Sequence, residues 1–285
     1  MGIALGLTAA LCWGFSDYCA TLASRRTGAI RTVLGFHLIS GVALLVAVLA
    51  TGALDDVTLE PALVMLGTGV LGWFSYLAFY RALAIGPISI VSPIVSGYAA
   101  VTVILAVLIL GETLNGGETA AVLVAFTGVV LASADLAQIR TAERKQTLGI
   151  VLAVLTMVSI GAFVFGVSYY SDELGWLAPI FLGRVATALF VVPTAIRLGQ
   201  WRFPDRSRTL LGLIAAIAVL DTAGYVAFNV GVQNADTSLV ATAAAPYAVV
   251  PVALGVAILH ERPAPVQWLG VVLVIGGLVL LGLAS

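Results

Sequence analysis

The second half of this chain repeats the first, and each half holds an odd number of apolar segments. At an offset of 149 positions Tyr76 falls on Tyr225, Phe79 on Phe228, Tyr98 on Tyr247, Glu112 on Glu261 and Gly128 on Gly277. Between Tyr76 and Glu112, 14 of 37 aligned positions are identical. Runs of spanning length occur at about 2–24, 31–52, 61–84, 87–110, 117–135, 148–170, 177–198, 209–233, 237–259 and 265–284. Five spans return a chain to the opposite face of a bilayer, so the second copy must enter inverted. The expected fold is an all-α membrane protein of ten transmembrane helices in two inverted five-helix repeats. Residues 1–137 form the first repeat, 138–147 a connecting loop and 148–285 the second repeat. Inverted repeats around a midplane site are the architecture of secondary transporters.

Composition agrees with a lipid solvent. Hydrophobic residues make up 61% of the chain and charged residues 9%, against about a quarter charged in a soluble domain. The net charge of -1 offers nothing to a nucleic acid. The N-terminal run lacks a basic leader and is long enough to span, so it reads as a helix rather than a cleavable signal. Cys12 and Cys19 are two turns apart, roughly 10 Å along a helix axis, too far for a disulfide. No metal or cofactor motif is present.

Eleven of the 13 cationic side chains flank odd-numbered spans on one side: Arg25, Arg26, Arg31, Arg140, Arg144, Lys145, Arg197, Arg202, Arg206, Arg208 and Arg262. Arg81 ends the third span on that side, and Arg184 lies inside a span. The opposite loops hold Asp55, Asp56, Glu60, Glu118, Asp172, Glu173 and Asp236 without a cation. The positive-inside rule then puts the basic loops in the cytoplasm and both termini outside.

The ionisable groups within spans are the first site candidates, because each costs roughly 2.5–3.5 kcal/mol at mid-helix on insertion scales. Asp221 is near the middle of the eighth span, and Asp17 lies toward the cytoplasmic end of the first. A carboxylate there must be protonated, paired or open to a water-filled cavity. Arg184 keeps its charge and needs an anion: Asp17, Asp221 or a substrate carboxylate. His37, its repeat counterpart, is a proton-relay candidate. The second set is aromatic and amide: Trp13, Tyr76, Tyr80, Tyr98, Tyr225, Asn229 and Tyr247, near span centres rather than in interfacial belts. Tyr76 and Tyr80 share a face, as do Tyr225 and Asn229. Each ring pairs an apolar body with a polar tip. These residues are expected to line a cavity built by spans one to four and six to nine. Spans five and ten lack Asp, His, Arg and Tyr and belong at the periphery. The stripe Ala121, Ala125, Gly128 and Ala132 in span five suits close packing within a monomer. Pro93, Pro246 and Pro251 interrupt spans four and nine. Glu112 and Glu261 end helices on opposite faces, where a cap or loop bond is the expected role.

The chain resembles the EamA-type, ten-helix members of the drug/metabolite transporter superfamily. The resemblance rests on Trp13-Gly14, Gly111-Glu112, His260-Glu261, Leu220-Asp221-Thr222 followed by Tyr225 and Ala227, and the glycine-rich last helix after Gln267 and Gly270. It implies alternating-access transport, in a bacterial inner membrane, of a small polar metabolite such as an amino acid or amine, commonly outward and in exchange for protons. A passive channel and an intramembrane enzyme are the alternatives; no HExxH or GxSxG motif supports the latter. Two features depart from the family pattern. Relatives are often drawn with cytoplasmic termini, and many carry an arginine at the place of His37, which only the counterpart Arg184 keeps here.

Overall fold

The computed structural model describes residues 2–55, 57–110, 114–133, 144–168, 171–234, 240 and 244–284. Regular structure among them is helical throughout. The first half supplies α1 (Gly2–Thr27), α2 (Ala29–Thr51), α3 (Leu59–Ile85), α4 (Ile88–Ser96), α5 (Tyr98–Leu105), which runs into a π turn at Ala106–Leu110, and α6 (Gly116–Ser133). The second half supplies α7 (Arg144–Ser168), the short α8 (Ser171–Leu174), α9 (Leu177–Arg197) and α10 (Arg208–Asn234). It ends with a 3-10 turn (Ala245–Ala248), α11 (Val249–Ala257) and α12 (Pro265–Ala284).

Among the described residues, six helices are long and apolar enough to cross a membrane: Ala29–Thr51, Leu59–Ile85, Thr147–Gly166, Leu177–Arg197, Arg208–Gly231 and Pro265–Ala284. Gly116–Ala132 is a shorter apolar helix. The other predicted spans differ for local reasons. α1, at 26 residues, has the length to span and carries Ser16 and Asp17 within it. The fourth run carries Pro93 inside α4 and breaks at Gly97, leaving pieces of 9 and 8 residues. The ninth holds Pro251 inside the nine-residue α11. Proline lacks a backbone donor and is tolerated in a first helical turn: α4 runs through Pro93 to Ser96, and in the ninth run Pro246 lies in the 3-10 turn and Pro251 in the first turn of α11.

Large apolar side chains are exposed over the surface as well as packed in the core. Leu38, Val42, Leu45, Val46 and Leu49 form an exposed stripe on α2, and Leu123 and Val130 are exposed on α6. Asp17, His37, Ser75, Ser92, Arg184 and Asp221 are buried. Polar groups inside and leucine outside is the distribution lipid selects.

Helix neighbours are preserved when the halves are exchanged. α1 packs on α10 as α7 packs on α3, and α2 meets α9, α4 meets α11 and α6 meets α12. The close contacts obey the same exchange. A Cβ at Gly14 would lie 2.9 Å from the Tyr247 carbonyl, and one at Gly161 would lie 2.9 Å from that of Tyr98. At Gly128 it would meet the Gly270 carbonyl at 2.8 Å, and at Gly277 the Ala121 carbonyl at 3.0 Å. The small-residue stripe of α6 is therefore spent on α12 within the chain. Where α10 begins, Ser207 Oγ accepts from the Leu210 N–H at 3.3 Å. The Ser207 N–H and hydroxyl hold the exposed Asp205 carboxyl below the usual carboxylate range.

Candidate functional site

Arg184 on α9 and Asp221 on α10 form a salt bridge inside the bundle, 5% and 8% exposed. Of the two carboxylates open to Arg184 from the sequence, Asp221 is the one it pairs with. One side of the guanidinium is thereby satisfied. Its Nη1 is buried with no hydrogen-bond partner among the described residues. Aromatic faces surround the cation: Phe36, Tyr76 and Tyr225 centroids lie 5.2, 5.8 and 6.0 Å from Cζ. Cation–π attraction strengthens as water is excluded, so these rings hold the guanidinium without neutralising it.

His37 stands beside this pair, 2% exposed, its ring edge-on to Tyr76 at 4.9 Å. Its Nδ1 lies 3.0 Å from the Val33 carbonyl. A carbonyl only accepts, so Nδ1 carries the proton, and in the neutral ring Nε2 has a lone pair. That Nε2 has no partner among the described residues, nor has Thr187 Oγ1. Arg184, His37 and Thr187 line one cavity with Tyr76, Tyr225, Phe163, Pro179, Ile180 and Gly183. Its volume is about 30 Å³, room for one or two waters. The packing of α3 against α9 leaves no more: a Cβ at Gly72 would run into Thr187 Oγ1 and stand 3.0 Å from the Phe163 ring.

The cavity draws on α2, α3, α7, α9 and α10, a narrower set than the eight spans expected. The remaining candidates form an adjoining layer. Asp17 accepts a 3.1 Å hydrogen bond from Ser92 Oγ on α4 and lies near enough to Asp221 to interact with its charge. Trp13 packs on Tyr225, Phe228 and Tyr247 with centroids 5.5, 5.7 and 6.2 Å apart. Tyr225 thus joins the two layers. Tyr80 stacks on Phe36 at 5.4 Å. Tyr98 heads α5, within electrostatic reach of Asp17 and Tyr225. Asn229 donates to the Tyr225 carbonyl of its own helix at 2.9 Å, and it is not among the residues lining the cavity.

Phe36, Thr187 and Ser92 are additions that sequence reasoning missed. Adjacency of Phe36 to His37 was the available signal for the first. Thr187, one turn after Arg184, had a signal in its spacing. Glu261 is a cap, as expected, though across the molecule: it accepts from the Ile88 and Ser89 N–H groups of α4 at 3.0 and 2.9 Å. Glu112 lies outside the described residues. Cys12 and Cys19 are free thiols.

The profile of the EamA-like transporter family matches residues 1–134 and 147–283, one copy on each half. A search of curated proteins found no match. Several solved structures are similar; a protein crystal structure among them matches over 98% of this chain and 95% of its own, with a TM-score of 0.67 at 20% identity. At that identity the likeness concerns the fold.

Proposed function

The chain belongs to the EamA-like transporter family, and from that premise we propose that it is a secondary-active exporter of a small polar metabolite. Ten helices in two inverted halves, 1–137 and 148–285, rock about the buried Arg184–Asp221 pair to expose it on alternate sides. The basic loops face the cytoplasm of a bacterial inner membrane, both termini lie outside, and the monomer is the working unit. The substrate path runs through Trp13, Asp17, His37, Tyr76, Tyr80, Tyr98, Arg184, Asp221, Tyr225 and Tyr247, with protons as the counter-ion.

The observation that carries this reading is the set of unpaired polar atoms around the cavity, beside a charge-neutral ion pair. Arg184 Nη1 donates, His37 Nε2 accepts and Thr187 Oγ1 does either. A ligand with both an acceptor and a donor answers all three. Because Arg184 and Asp221 already cancel, a ligand of zero net charge adds no unbalanced charge to a low-dielectric site. A zwitterion such as an amino acid fits, and a phosphate dianion does not. The cavity is smaller than a metabolite in this conformation, so binding requires the Tyr76 and Tyr225 rings to move aside.

The test is thermal unfolding of purified protein against amino acids, amines and phosphate esters. A true ligand at about 100 times its Kd stabilises the fold by about 2.7 kcal/mol. Stabilisation by a zwitterion and none by a dianion is expected; the reverse order would refute the site chemistry. Orientation is tested separately. Alkaline phosphatase fused after Ser285 is expected to be active, and activity of a cytoplasm-dependent reporter there would overturn it.

A further inference from the structure

At one end of the bundle the two halves are tied by a cluster separate from the central cavity. Arg25, in the last turn of α1, donates from Nη2 to the Gly86 carbonyl at 2.9 Å and from Nε to that of Leu83 at 3.3 Å. Nη2 also reaches Glu261 Oε1 at 3.3 Å. Glu261 accepts from Ile88 N–H at 3.0 Å on Oε1 and from Ser89 N–H at 2.9 Å on Oε2. Its Oε2 further accepts from Ser89 Oγ at 2.6 Å.

The N-cap position of α4 is Pro87, which has no side-chain oxygen to offer. A carboxylate from the other half does the work instead. It is brought there by a turn in which His260 adopts φ 56° and the Glu261 N–H returns to the Gly255 carbonyl at 3.1 Å. There is little slack, since a Cβ at Gly255 would lie 2.9 Å from Glu261 Oε2 and 2.7 Å from Ile88 Cγ2. Separation of the halves here would strip two backbone N–H groups and a guanidinium of their anion together.

The cluster is also geared to the interior. Ser89 and Ser92 are one turn apart on α4, and Ser92 Oγ donates to Asp17. Asp17, Thr21 and Arg25 recur every four residues along one face of α1. Two helices therefore run from the cluster to the same buried carboxylate. α4 ends at Ser96, four residues past Ser92, so it can shift as a short unit.

We propose that Arg25, Glu261 and the first turn of α4 form a gate that closes the arginine-rich end of the transport path, its opening admitting water to Asp17. This rests on the transport reading above and names the contact that must break for one half-cycle.

The experiment labels a cysteine inside the gate. Thr21 is fully buried, and its hydroxyl bonds only the Asp17 carbonyl of its own helix among the described residues. Thr21→Cys is introduced with Cys12→Ala and Cys19→Ala, and the full chain is reconstituted in liposomes. A membrane-impermeant maleimide is supplied on the arginine-rich side. Glu261→Gln or Arg25→Gln is expected to raise the labelling rate about tenfold, the loss of one charge-assisted contact. The double variant should exceed the faster single by little, because both break the same gate. Ser89→Ala, which leaves the backbone cap intact, should give a smaller rise and covers the case in which a charge variant fails to fold. Unchanged labelling in folded variants, with only a lower melting temperature, would make the cluster a static cap and overturn the gate. That result beside normal countertransport by the parent would leave the transport reading standing. The labelling itself needs no substrate.

Discussion

Asp221→Asn is expected to destabilise the protein by about 3–5 kcal/mol, more than Arg184→Gln, and the double variant is expected to recover most of the loss. The asymmetry follows from what each survivor can do. Arg184 cannot release its proton, so without Asp221 it stays a buried cation. Asp221 without Arg184 can take up a proton and become neutral, which limits the cost to about 1–3 kcal/mol for its altered hydrogen bonding. With both charges gone, neither penalty remains, and glutamine and asparagine can still bond each other. Denaturant unfolding of the four proteins in one detergent checks the cycle. Additive effects of the two substitutions would mean that the pair contributes nothing as a pair. From the sequence alone, a purely structural Asp221 would tolerate asparagine. Its pairing with Arg184 removes that expectation, because asparagine leaves the arginine charge unanswered.

The same double variant is expected to lose transport by at least about a hundredfold while remaining folded. A factor of one hundred corresponds to about 2.7 kcal/mol, the scale of one charge-assisted hydrogen bond to a ligand. If the pair merely joined α9 to α10, restoring stability would restore flux. If it binds substrate or exchanges a proton as the cavity alternates, restored stability does not restore flux, and the residual exchange no longer responds to an imposed pH gradient. The check is uptake into liposomes at equal protein density, with and without that gradient. Wild-type flux in the stable double variant would remove Arg184 and Asp221 from the transport path.

Much of the fold could be read from the chain. The 149-residue offset marks the equivalences that reappear as exchanged contacts, such as Gly128 on Gly270 and Gly277 on Ala121. Pro93 and Pro251 marked the runs that form short helices, and the α6 stripe marked the α12 contact. Partner choice was less legible. The patterns of α9 and α10 mark a polar face on each helix but do not say which helix lies against it. Whether Arg184 faced Asp17 or Asp221 depended on that neighbour. Asn229 shows the same limit, since its spacing from Tyr225 was visible but its use of the Tyr225 carbonyl was not. Glu261 could be placed at a helix end, yet the capped helix lies 172 residues away in sequence, beyond any local pattern.

Countertransport tests the central claim most directly. Liposomes holding the wild-type chain are loaded with an unlabelled zwitterion selected by thermal stabilisation, then given a trace of the labelled compound outside. A carrier that alternates around Arg184 and Asp221 is expected to concentrate the label transiently, to saturate, and to lose both behaviours in the Arg184→Gln/Asp221→Asn protein. Label that equilibrates without an overshoot, at a rate linear in concentration and unaffected by internal solute, would contradict alternating access and identify a passive pore.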